Sequence, residues 1–151
     1  MILFTKRETY EKQIAIYFHD GSYEKAYVLS REFAERFKEE VTAHFLLMKS
    51  AFWMNKFEEA IASGIVAFNL SHGNDMLTCG VLLSSAYYLK GDIEQCQTLL
   101  GKLKAEGNTD VQRLMIITAL ALQDEKEAEK QINQLYHINR RVAEEFVQKF
   151  L

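Results

Sequence analysis

Side chains able to carry chemistry are scattered through this chain rather than gathered. The four histidines, His19, His44, His72 and His137, stand singly, and none falls in the HExxH spacing that sets two imidazoles and a general base on one helix face. The two cysteines, Cys79 and Cys96, lie seventeen residues apart on what read as different helices, with no CxxC and no histidine at zinc-ligand spacing. They read as unpaired thiols of a reducing compartment. No glycine-rich phosphate loop and no GxSxG elbow occurs. Carboxylate pairs at Glu39-Glu40, Glu58-Glu59 and Glu144-Glu145 are of the type used in acid–base catalysis, but each falls on the outer face or the end of a helical stretch, where solvation accounts for it. The expectation is no catalytic residue, no metal and no cofactor, hence not an enzyme.

What the residues do establish is the set of elements that hold them. A chain of 151 residues, 48% apolar and 26% charged, can bury a real core as one domain. It has no proline and only seven glycines, so almost nothing interrupts helix. A net charge of −3, with basic residues clustered only at Lys102 and Lys104 and at Arg140 and Arg141, argues against a nucleic-acid surface, which needs a cationic face. The opening MILFTKRE turns charged after four apolar residues, too short for the core of a signal peptide. No run reaches the ~18 apolar residues of a membrane span. A cytoplasmic, all-α protein is expected.

Apolar spacing predicts nine helices. Tyr10, Ile14, Tyr17 and Phe18 mark the first, over 6–18, ended by His19-Asp20-Gly21 with glycine free to turn left-handed. Ser22 is the expected N-cap of the second, whose buried stripe is Tyr23, Ala26, Tyr27, Ser30, Phe33 and Phe37. Further helices are expected over 41–54, 57–70, 76–89, 93–105, 111–122, 125–136 and 139–151. In the last, Ala143, Phe146, Val147, Phe150 and Leu151 share one face, expected to be covered by the helices before it.

A small residue recurs in the second helix of each hairpin, at Ala26, Ala60, Cys96 and Ala128, with gaps of 34, 36 and 32 residues. Around it stand GSYEKA, NKFEEA, GDIEQC and the more divergent QDEKEA. A helix–turn–helix period of about 34 residues with this glycine, aromatic and alanine signature resembles the tetratricopeptide repeat. Tyr17 and Tyr87 match the family's aromatic one turn before the bend, where Ala51 and Ala119 stand in the other two units. The tryptophan position of the first helix holds Tyr10, His44, Gly80 and Gln112, and no unit has the closing proline. The resemblance implies a single domain over 1–151: a superhelical stack of repeats at about 7–40, 41–74, 77–108 and 109–138, with a capping helix over 139–151.

In such proteins the first helices line a concave groove. Leu47, Met48 and Ala51 are expected to pack inward, leaving Phe45, Lys49, Phe52 and Trp53 as a second, groove-facing stripe. Phe18 and His19, Val81, Ser85, Tyr88 and Leu89, and Arg113 and Ile117 are the corresponding residues of the other units. A Lys/Asn clamp for a C-terminal carboxylate is not expected, because Glu11 and Ala15 stand where it would start and the stripe has no asparagine. The resemblance therefore implies an adaptor or chaperone taking an apolar helix or peptide of a partner protein, somewhat like the tetratricopeptide chaperones of type III secretion. The alternatives are RNA recognition, as in pentatricopeptide repeats, and homodimerisation through the groove or the last helix. Glu8, Glu11 and Asp110 on the first-helix faces oppose the former, so neither nucleic acid nor membrane is an expected partner.

Overall fold

The computed structural model of the chain describes residues 6–103 and 107–151, and among these every regular element is an α-helix. They are α1 (Arg7–His19), α2 (Tyr23–Arg36), α3 (Val41–Trp53), α4 (Phe57–Leu70), α5 (Gly73–Lys90), α6 (Ile93–Lys102), α7 (Thr109–Ala121), α8 (Glu125–Ile138) and α9 (Arg140–Phe150). None of the described helices is long and apolar enough to cross a membrane. The boundaries follow the apolar spacing closely, with one clear departure. Helix α5 starts at Gly73 rather than at 76, because Gly73 itself, at φ +59°, makes the bend and leaves Asp75 in the first turn, where the helix dipole favours a carboxylate. The expected end of α6 near 105 lies outside the described residues.

Capping differs from the expectation too. Ser22 occupies the N-cap of α2 but its hydroxyl makes no capping hydrogen bond. The side chains that do cap are Asn108, Asp124 and Asn139, each accepting from a backbone N–H of the first turn: those of Val111, Glu127 and Val142.

The turn joining the two helices of each hairpin is the same structure four times. Gly21, Asn55, Gly91 and Gln123 all have φ between +58° and +98°. The N–H of each donates three residues back, to the carbonyls of Phe18, Phe52, Tyr88 and Leu120. The next N–H, of Ser22, Lys56, Asp92 or Asp124, donates five back, to Tyr17, Ala51, Tyr87 or Ala119 at 2.8–2.9 Å. This pair of bonds is a Schellman motif, which satisfies the carbonyls left open at a helix C-terminus. Its left-handed residues carry the same gaps of 34, 36 and 32 as Ala26, Ala60, Cys96 and Ala128, and those four side chains are all at most 3% exposed. The repeat is thus written into the backbone, in hairpins of consecutive packed helices.

The chain divides into two compact units, one ending at Ala86 and the other beginning at Tyr87, both within α5. In the first, α1 packs on α2, α2 on α3 and α3 on α4. Its core is Tyr10, Ile14, Ala26, Leu29, Phe33, Ala34 and Ala43, with Tyr17, Phe18, Phe37, Leu46 and Leu47 packed against it. Tyr10 stacks on Phe33 with centroids 4.9 Å apart, and Phe37 meets both edge-on. Gly64 lets α4 approach its neighbours closely, since a Cβ there would fall 2.6 Å from Met48 Sδ and 2.9 Å from Leu83 Cδ1. In the second unit α6 packs on α7, α7 on α8 and α8 on α9, around Ile116, Leu135, Ala143 and Phe146. The expected covering of α9 is only half realised. Phe146 is buried, but Phe150 and Leu151 are 52% and 63% exposed, because the apolar stripe of α9 runs on past the core cluster that ends with Phe146.

Candidate functional site

The groove stripe expected from the sequence is distributed over both units. Of its first-unit members, Phe18, Phe45, Lys49, Phe52, Val81 and Ser85 are half-buried and His19 is exposed. Trp53 is 55% exposed, although the same helix buries Met48 and Ala51 completely. Ser85 turns its hydroxyl onto its own helix, donating to the carbonyl of Val81 at 2.9 Å. In the second unit Tyr88 and Arg113 are half-buried and Leu89 is exposed, Arg113 lies 3.9 Å from Asp110, and Ile117 packs against the core cluster.

Three of these residues, Phe18, Phe52 and Trp53, come together, and they gather two aromatics the stripe did not include. Phe18, the last apolar residue of α1, meets Tyr23 at the start of α2 with centroids 5.8 Å apart. Phe52 of α3 meets Phe57 at the start of α4 edge-on, with centroids 5.9 Å apart. Each pair spans one Schellman turn, from the residue three before its left-handed position to the residue two after it. Trp53 then joins the hairpins. It stacks on Tyr23 at 5.9 Å with an interplanar angle of 13° and stands edge-on to Phe52 at 6.0 Å. The result is a continuous ladder, Phe18–Tyr23–Trp53–Phe52–Phe57, across the turn ends of α1 to α4. Offset stacked and edge-to-face pairs of this kind are worth about 0.5–1.5 kcal/mol each beyond the area they bury.

Tyr23 therefore corrects the sequence reading, which set it in the buried stripe of α2. It is 36% exposed. As the first residue of its helix it projects at the hairpin end, beside Trp53 rather than under it. The signal that could have found the ladder is the aromatic of the GSY and NKF signatures taken together with an aromatic five residues earlier.

The ladder has charged neighbours. The Lys49 ammonium sits 4.6 Å above the Phe18 ring, and Lys56, in the second turn, sits 4.4 Å above Tyr27. Tyr27, one helical turn beyond Tyr23, is buried. Its hydroxyl donates to Glu59 and accepts from Arg31, and Arg31 Nη2 reaches Glu59 at 3.1 Å. Burial alone would raise the Glu59 carboxyl. The hydrogen bonds from Tyr27 and Arg31, with the charges of Arg31 and Lys56, more than offset it and hold the group below its ordinary 4.5.

Elsewhere the chain offers less. An open cavity of about 800 Å³ beside α1 and α2 is walled by Glu24, Lys25, Arg31, Glu32 and Glu35 around Val28 and Leu29. Cys79 and Cys96 are both buried free thiols, and burial pushes the Cys96 thiol up to about 11 and the Cys79 thiol upward as well. Both are protonated at neutral pH and poor nucleophiles. Among the described residues no group of three or more His, Cys, Asp or Glu side chains could hold a metal ion. No protein-family model matches the sequence, and no curated protein matches it.

Proposed function

We propose that this chain is a protein-binding module of the tetratricopeptide type, an adaptor or chaperone that holds an apolar helix or peptide of a partner protein, and that the partner docks on the aromatic ladder of α1 to α4. The observation that carries this reading is the exposure of Trp53 and Tyr23, at 55% and 36%, in contact with three further rings. Aromatic anchors gathered at one surface, rather than scattered singly, mark interaction sites in soluble proteins.

Trp53 is the only tryptophan, which makes the test direct. Its emission is expected to be red-shifted in the free protein and to move blue as an amphipathic, tryptophan-free helical peptide is added. Tyr23→Ala is expected to weaken that binding while leaving the circular dichroism of the helices unchanged. Emission that no peptide moves would refute the ladder as a docking surface.

The exposed Phe150 and Leu151 favour a second reading, self-association through α9. Sedimentation of the wild type against Phe150→Glu tests it: a dimer dispersed by the substitution supports it, and a wild-type monomer excludes it.

A further inference from the structure

We infer that the segment recognised by the ladder is acidic as well as apolar, carrying side-chain carboxylates on either side of an aromatic or aliphatic anchor. This inference rests on the reading of the ladder as a peptide-docking surface and adds the chemistry of the peptide. The ladder and the adjoining Tyr27 ring are touched by three cations, Lys49, Arg31 and Lys56, and by one carboxylate, Glu59. The patch therefore carries a surplus of positive charge in a chain whose formal net charge is −3.

Arg31 and Glu59 satisfy one another at 3.1 Å. Lys49 and Lys56 have no carboxylate within ion-pair distance among the described residues, and each ammonium is held instead over a ring. The Glu59 carboxylate also feels the charge of Lys56, but it is already bonded to Tyr27 and Arg31. Asp20 and Glu58 are exposed, and Glu24 lines the cavity beside Tyr17 and Val28. Lys49 lies one helical turn before Trp53 on α3 and Lys56 three residues after it, so along the chain the two lysines flank the most exposed ring of the ladder. An anchor seated on Trp53 and Tyr23 would bring carboxylates placed a turn to either side of it within reach of both. Since each lysine is already positioned by its ring, little side-chain freedom remains to be lost on pairing.

The probes are three amidated, tryptophan-free helical peptides of identical apolar face, with glutamate, glutamine or lysine at the positions flanking a central phenylalanine. Trp53 emission reports binding to the whole chain at low and at high salt. The glutamate peptide is expected to bind about three- to tenfold more tightly than the glutamine peptide at low salt, as suits two partly exposed ion pairs, with the gain lost at high salt. Lys49→Gln with Lys56→Gln should abolish the difference without loss of helix content, and Lys49→Glu with Lys56→Glu should make the lysine peptide the tightest. Equal binding of the glutamate and glutamine peptides to the wild type would overturn the acidic specificity and leave the docking surface standing. Binding of none of the three would overturn both.

Discussion

The first and the fourth hairpin turns have one backbone and opposite surfaces. Gly21 and Gln123 both take φ near +60° to +75°, and both turns close with the same two hydrogen bonds. Yet the residues flanking the first are Phe18 and Tyr23, in ring contact, while the matching residues of the fourth are Leu120 and Glu125. The comparison separates what the repeat requires from what the surface adds. Left-handed turn and small residue are kept in every unit because the hairpin cannot close without them, and the aromatic pairs are present in only the first two. Those pairs are thus free to serve something other than folding.

If this division is right, the small position should be equally unforgiving in both units. Ala60→Phe and Ala128→Phe are each expected to destabilise by about 1–3 kcal/mol through overpacking, since both sites are fully or nearly fully buried. Urea denaturation followed by circular dichroism measures this. A tolerated Ala128→Phe would mean that the fourth hairpin does not share the close approach of the second.

Exchanging the turn residues should give effects of opposite sign and about 1 kcal/mol each. Gly21→Ala places a Cβ at φ +74° in otherwise open space, so its cost is backbone strain alone. Gln123→Gly removes the same strain at φ +58° and should stabilise. Asn55→Gly should stabilise less, because asparagine tolerates the left-handed region better than glutamine does. Thermal melts of the three variants rank them.

The bridge between the hairpins should matter still less to stability. A double-mutant cycle on Tyr23→Ala and Trp53→Ala is expected to return a coupling of about 0.5 kcal/mol, the low end for aromatic pairs, since both rings are partly in solvent. A coupling several times larger would make the ladder a structural clasp and weaken the case for a docking surface.

How far the sequence carries toward this picture depends on the range of the contacts. The period is legible because Ala26, Ala60 and Cys96 and the left-handed Gly21, Asn55 and Gly91 answer to local geometry, each set within one hairpin. Met48 and Ala51 are likewise placed by helical spacing alone. Tyr23 escapes, because spacing aligns it with Ala26 and Tyr27 and says nothing of where the neighbouring helix ends. Its stacking with Trp53 joins residues of different hairpins and exists only once the hairpins are packed. Ile117 illustrates the converse: a residue equivalent by register to Ser85 packs against the core of the second unit, because Leu135 and Phe146 come from helices whose approach the register does not encode.

Both units carry groups whose protonation is linked to folding. Glu59, in the first, is held below 4.5 by Tyr27 and Arg31, so its contribution to stability is complete above that value and is lost as pH falls through its lower folded value, where the unfolded chain binds the proton more readily. The alkaline side is shared. Cys79 in one unit and Cys96 in the other ionise later folded than unfolded, Cys96 at about 11 against 9.0. Their contribution is therefore complete below pH 9.0 and is lost as pH rises toward the folded values. Melting midpoints measured across pH should show both limbs in the wild type. Glu59→Gln should lower the midpoint at neutral pH and flatten the acid limb, leaving the alkaline limb in place, whereas Cys96→Ala should soften only the alkaline one. An acid limb undiminished by Glu59→Gln would show that the Tyr27–Arg31–Glu59 contact adds nothing to the first unit, and would leave Arg31 as free a cation beside the ladder as Lys49.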